Sequence, residues 1–271
     1  MRTLSGALFI VVIVGSLLLH PYAYAGVMTA VIVWALLEYC DIMIKDRVHA
    51  GKIPAVITGV ALFAAAFFHA QNLVSVDVFL FFIPLVALLF ISQLYSTDHF
   101  SFRAIAYTLT GVVYIALPLA LCNGMVFPSV DVNPDNQYMP DILLGFFILL
   151  WTNDTFAYLI GIWIGRHRLF ERISPKKSWE GFFGGLVGTV ALSLLIAKWF
   201  PILPFYHWMA VSAIIVIFGV YGDLIESLLK RNLKIKDSGH FLPGHGGILD
   251  RFDSVLLAAP MVYFYLRLFV F

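Results

Sequence analysis

The sequence predicts an all-α, polytopic integral membrane protein with about nine transmembrane helices, and three observations lead there. Hydrophobic residues make up 61% of the 271 and charged residues only 12%, whereas charged residues alone are about a quarter of a soluble domain. Mean hydropathy is +0.93, which places the chain in a bilayer. Its apolar runs are long and continuous, without the alternation of barrel strands, and only helices or closed barrels satisfy a backbone in hydrocarbon.

A run of about 17 to 22 apolar residues matches the thickness of the hydrocarbon core. Such runs fall in order at residues 4–20, 22–40, 53–69, 78–95, 104–122, 142–164, 182–200, 208–229 and 254–271. His20 and Pro21 alone link the first two, because proline blocks continuation of the first helix. The third, fourth and fifth are plain apolar runs that supply span number. The sixth carries Asn153 and Asp154 within WTNDTFAYLIGIWIG, the seventh opens after a polybasic link, the eighth bears a charged stripe, and the ninth begins with an acidic pair. A cleavable signal is the alternative for the first span, since Ala-Tyr-Ala precedes Gly26. Cleavage there would leave about 15 residues before Asp41, short for a crossing, so retention is expected.

With the N-terminus in the cytoplasm, all of the 17 Lys and Arg except Lys198 and Arg267 fall at Arg2 or in the links after even-numbered spans. The positive-inside rule therefore puts those links in the cytoplasm, and the inner (cytoplasmic) membrane is the expected location. The link 123–141, with Asp131, Asp135 and Asp141, faces outward on this reading. No internal repeat or long linker divides the chain, so residues 1–271 read as one membrane unit. Within it, 1–140 is scaffold and 141–271 carries the motifs. Cys40 and Cys122 have no partner at metal-binding spacing and read as core filler. His20, His49, His69, His99 and His207 likewise have no ligand spacing.

The polar constellations lie in the C-terminal half. Asp223, Glu226, Ser227 and Lys230 occur at i, i+3, i+4 and i+7, one face of the eighth helix. A charge at mid-membrane costs about 3 kcal/mol, so this stripe faces protein or a water-filled cavity. An interhelical ion pair is its bland explanation. Next come Arg231, Lys234, Lys236 and Asp237, followed by Pro243, Gly244, His245, Gly246 and Gly247 just before the ninth helix. Successive amides there, next to a helix N-terminus, make an anion cradle, against the alternative of an ordinary glycine turn. Asp250 and Asp253 follow at i and i+3 with Arg251 between them. Facing carboxylates suit Mg2+, a hard cation that completes its shell with phosphate and water. Helix capping explains Asp250 more easily than Asp253.

Asp154, with Tyr158, Gly161 and Gly165 at helical spacing, gives the sixth span a small polar face that needs a cation, a donor or a proton. The link 166–181 brings Lys176, Lys177, Ser178 and Glu180 to the mouth of the seventh span. Its basic residues also have a simpler task in attracting anionic membrane lipid. Together these groups fit phosphoryl or nucleotidyl transfer between a soluble nucleotide and a lipid.

Residues 227–253, SLLKRNLKIKDSGHFLPGHGGILDRFD, resemble the signature of the phosphatidate cytidylyltransferase (CDP-diacylglycerol synthase) family. Ser227, Lys230, Arg231, Lys236, Asp237, Pro243, His245, Gly246, Gly247, Asp250, Arg251 and Asp253 stand where that pattern has them. The DTFAY, SPKKSWEG and GDLIES segments extend the resemblance over residues 151–253. One departure is Ile162, where similar proteins often carry a basic residue; Arg166 is the nearest substitute. The resemblance implies CTP plus phosphatidate giving CDP-diacylglycerol and pyrophosphate, dependent on Mg2+ and in some members on a second, monovalent cation such as K+. It also implies a homodimer, with no nucleic-acid partner. Carried onto this chain, Asp223, Asp250 and Asp253 hold the metal, with Asp154 a further candidate. Lys230, Arg231, Lys236 and Arg251 screen the triphosphate and the lipid phosphate, and Asp237 is a further catalytic candidate. Lys176, Lys177, Ser178, Glu180, Ser227, His245, Gly246 and Gly247 bind substrate. The competing readings are a CTP-dependent lipid kinase and an ion-coupled transporter of an anionic solute, for which no inverted repeat is visible. A CDP-alcohol phosphotransferase fits poorly, because its usual Asp spacing is absent.

Overall fold

The fold is that of a computed structural model and is described for residues 2–46, 50–95, 102–128, 132, 137–239 and 246–271. His245, like Arg47, Asp131, Asp135, Pro243 and Gly244, lies outside the described residues. Helices dominate, and each of the nine apolar runs becomes one. Among the described residues seven helical stretches are long and apolar enough to cross a bilayer: Pro21–Asp46, Lys52–Ala70, Phe102–Val126, Asp141–Ile164, Trp179–Trp199, Phe205–Asn232 and Leu249–Phe269. The first and fourth runs give shorter apolar stretches, Gly6–Leu19 and Val76–Ile91. Among the described residues the count of nine is thus matched in position and not in length. In the fourth the reason is local: the run opens as a 3-10 turn at Val76–Phe81, and the α-helix starts only at Phe82 with Pro84 in its first turn.

The chain divides into two compact units. The first comprises Met1–Asn123 and Ile235–Arg251. It contains α1 (Arg2–Leu19), α2 (Pro21–Met43), α3 (Lys52–Ala70), α4 (Phe82–Leu94), α5 (Phe102–Gly111) and α6 (Leu117–Leu121). His20 is extended, its ring nitrogen accepts the Tyr22 amide at 3.3 Å, and Pro21 takes the first helical position, so the two-residue link caps α2. Close packing of α3 on α2 depends on Gly59, where a Cβ would stand 2.6 Å from Leu36 Cδ1. Residues 112–116 between α5 and α6 form a π-helical turn. Pro118 has no amide to give the ladder and crowds the carbonyl four residues back, which widens the turn before it.

The second unit comprises Gly124–Lys234 and Phe252–Phe271. Its elements are α7 (Asn123–Val126), α8 (Asp141–Ile164), β1 (Arg168–Phe170), β2 (Ser174–Ser178), α9 (Trp179–Trp199), α10 (Phe205–Asn232) and α11 (Leu249–Phe269), with α7 and α11 entered from the first unit. The polybasic link is a small antiparallel hairpin, Arg168 opposite Ser178 and Phe170 opposite Ser174. It leaves the helical class unchanged. Gly181, Gly184, Gly185 and Gly188 line one side of α9, and Cβ atoms there would strike Ala157, Ile160, Asn153 and Phe156 of α8. Backbone-to-backbone approach of the two helices follows. Gly222 serves α10 and α11 in the same way: a Cβ would lie 2.5 Å from the Asp253 carbonyl oxygen.

Candidate active site

In the second unit, α10 supplies the charged stripe. Its four members share a face as the spacing predicts, and neighbours on that face hold one another. Ser227 Oγ donates to Asp223 Oδ1 at 3.1 Å, and Lys230 pairs with Glu226 one turn earlier. Glutamate N-terminal to lysine at this spacing is the favourable order. Glu226 is fully buried, and breaking such a pair strands a charge at a cost of about 3–5 kcal/mol.

Close approach of α10 and α11 at Gly222 brings Asp253 to the same place. One carboxylate oxygen each from Asp223, Glu226 and Asp253 lie within 4.8 Å of one another. Three convergent oxygens, from the fully buried Glu226 and the partly buried Asp223 and Asp253, are a donor set for a hard divalent ion. Lysine offsets part of that charge: Lys177, from the hairpin, reaches Asp223 Oδ2 at 2.5 Å and donates to the Val220 carbonyl at 3.4 Å.

Beside Asp223 opens a cavity of about 690 Å³. Ile162, Leu169, Phe182 and Val220 give it apolar walls, while Asp154, Arg168, Lys176, Lys177 and Asp223 give it charge. Ser178 lines it too, but its hydroxyl caps α9 by accepting the Gly181 amide at 3.2 Å. Glu180 has a structural partner as well: it takes the His167 ring nitrogen at 2.6 Å and the His167 amide at 3.2 Å, fastening the entry to the hairpin. Arg231 Nε donates to the Ile173 carbonyl at 3.4 Å across the same hairpin.

The first unit holds the motif turn. Asp250 Oδ2 accepts the amides of Ser238 at 3.0 Å and Gly247 at 2.8 Å. Gly246 has φ +79°, which favours glycine, and a Cβ there would come within 2.5 Å of the same oxygen. The Gly247 amide is thus taken up by the chain's own Asp250, three residues further on. Asp237 is in the wall of a second cavity of about 500 Å³, and Lys236 and Arg251 are exposed.

Two of the four expected metal ligands, Asp223 and Asp253, are thus brought together, and Asp154 lines the cavity next to them. Asp250 is engaged within its own unit. Two residues of the site in the second unit, and one that contacts the start of α11 in the first, went unassigned in the sequence. Glu226 was visible as part of the stripe at i+3 from Asp223. Arg168 enters the cavity wall, where Arg166 had been expected to make up for Ile162. Glu38 of α2 accepts the Leu249 amide at 3.0 Å, a contact between residues so distant in the chain that no spacing signals it.

Clustered carboxylates, lysines that balance them and a cavity with apolar walls and charged side chains of both signs define a class: a membrane-embedded centre for phosphorylated, lipid-like substrates. The chain belongs to the cytidylyltransferase family, whose profile matches residues 1–269, and it is accordingly a nucleotidyltransferase. It is 35% identical over 207 residues to the phosphatidate cytidylyltransferase of Bacillus subtilis (strain 168), covering 75% of this chain and 72% of that protein. Proteins of the same name from Staphylococcus epidermidis and Staphylococcus haemolyticus are 38% and 37% identical over 183 and 182 residues, covering 66% of this chain and of each of them.

Proposed function

We propose that this protein transfers the cytidylyl group of CTP to phosphatidate, giving CDP-diacylglycerol and pyrophosphate. The observation that carries the reading is the cavity of the second unit. A diacyl phosphate needs apolar walls for its glycerol and acyl ends and cations for its headgroup, and Ile162, Leu169 and Phe182 with Arg168 and Lys176 supply both.

The lipid phosphate is already anionic, so the reaction needs positioning and charge neutralisation more than a strong base. A phosphatidate oxygen attacks the α-phosphorus of CTP in line. The new P–O bond forms as the bond to the β-phosphate bridging oxygen breaks, and pyrophosphate carries away that electron pair. Arg168 and Lys176 hold the lipid phosphate. Lys177, balanced by Asp223, is placed to follow negative charge as it shifts between the phosphates. Asp223, Glu226 and Asp253 would hold Mg2+, which when bound neutralises triphosphate oxygens. A monovalent K+ companion, a homodimer and a cytoplasm-facing site in the inner membrane belong to the same reading; the distribution of Lys and Arg supports the orientation.

Purified protein in detergent, given labelled CTP, phosphatidate and Mg2+, tests it. CDP-lipid and pyrophosphate are expected in equal amounts. Phosphorylated lipid with CDP, or no product that depends on the divalent ion, would overturn the reading.

A further inference from the structure

Among the described residues the mechanism leaves one buried carboxylate unused. Glu38 stands in the last two turns of α2, 9% exposed, beside the buried Leu36, Tyr39 and Cys40. An ionisable side chain in such a span persists where it has a task. Its contacts show one. Oε2 accepts the amide of Leu249, the first residue of α11. A Cβ at Gly239 would come within 2.5 Å of Oε1 and 2.7 Å of Cδ, and one at Gly247 would collide with Oε2 and with Ser238 Oγ. Glycine at both positions lets the carboxylate enter the turn from one side, while Asp250 fastens it through Ser238 and Gly247 from within.

We propose that Glu38 is a positioning residue, the anchor on α2 that sets the two described flanks of the motif link, residues 235–239 and 246–248, and the first turn of α11. The N-terminal spans then do more than fill the membrane, because one of them fixes the backbone that carries Lys236, Asp237, Asp250 and Arg251. A hydrogen-bond acceptor at this point is what the role requires, with charge secondary. This rests on the cytidylyl-transfer reading, and wild-type activity measured alongside separates failure of that reading from failure of this one.

The test is a set of variants assayed in detergent for kcat, for KM with each substrate, and for the unfolding midpoint. Glu38→Ala is expected to lower kcat at least tenfold with KM for phosphatidate unchanged, since the lipid cavity is built from other residues. Glu38→Gln, which keeps an oxygen for the Leu249 amide, is expected to recover kcat to within about threefold of wild type. Gly239→Ala should lower kcat in the wild-type background and have no further effect in Glu38→Ala, because the three described atoms nearest its Cβ all belong to the Glu38 side chain. Tryptic cleavage after Lys236, read independently of activity, should be faster in Glu38→Ala. A folded Glu38→Ala with kcat within twofold of wild type would overturn the proposal. So would Gly239→Ala acting equally in both backgrounds. Should Glu38→Ala not fold, Glu38→Gln and Gly239→Ala decide: a tenfold loss in Gln, or none in Gly239→Ala, would overturn it.

Discussion

Asp223 joins three parts of the site. One carboxylate oxygen accepts from Ser227 and the other meets Lys177, and the group stands with Glu226 and Asp253. Replacement by Asn keeps the shape and Ser227's acceptor but removes the charge that balances Lys177. Removal of a group that only orients a metal ligand typically costs about 10- to 100-fold, and a ligand itself costs more. Asp223→Asn is therefore expected to lower the rate of CDP-lipid formation by more than about 100-fold, and Ser227→Ala by about tenfold. Initial rates across a Mg2+ titration check the order; equal losses in the two would remove Asp223 from the metal-holding set. Lys230, by contrast, has its described ion pair inside its own helix, with Glu226. Its first physical role is to keep a fully buried carboxylate paired, and any role toward phosphate is additional.

At the scale of elements, the site depends on how near α8 and α9 come. Gly181 makes the tightest backbone contact of the α9 stripe: a Cβ would stand 2.7 Å from the Ala157 carbonyl oxygen and 3.3 Å from Gly161 Cα, neither of which can swing aside. Overpacking of this kind costs about 1–3 kcal/mol. Gly181→Ala is expected to lower the thermal midpoint in detergent by several degrees, whereas Gly26→Ala, with nothing within 4 Å, should leave it unchanged or raise it. The same elements show what the sequence can and cannot say. Spans follow from run length alone, so α8 to α11 were legible, as was the shared face of Asp223, Glu226, Ser227 and Lys230, which needs only a 3.6-residue period. Convergence of Asp253 on that face was not, because it depends on α11 crossing α10 at Gly222. Residues 166–181 read as a polybasic loop, since a hairpin with strands of three and five residues leaves no alternation long enough to detect. Glu38 was illegible for the opposite reason: one acid in an apolar run has no period at all.

For the whole molecule, the proposed reaction constrains the side of the membrane from which the nucleotide enters. CTP is a cytosolic solute, so the reading demands that the hairpin link and the motif turn share the cytoplasmic side. The placement of all Lys and Arg but Lys198 and Arg267 in or beside links of one parity gives the direction. On the proposed orientation Leu73, 62% exposed in the link after α3, would lie on the opposite face, and Arg172, exposed at the turn of the hairpin, on the cytoplasmic one. Native Cys40 and Cys122 are both buried, at 1% and 0% exposure, and will not compete for a water-soluble thiol reagent. In intact cells a membrane-impermeant maleimide should therefore label Leu73→Cys and spare Arg172→Cys, with the latter labelled only after permeabilisation. The reverse pattern would put the cationic cavity on the side without CTP, and the proposed reaction would lose its nucleotide supply.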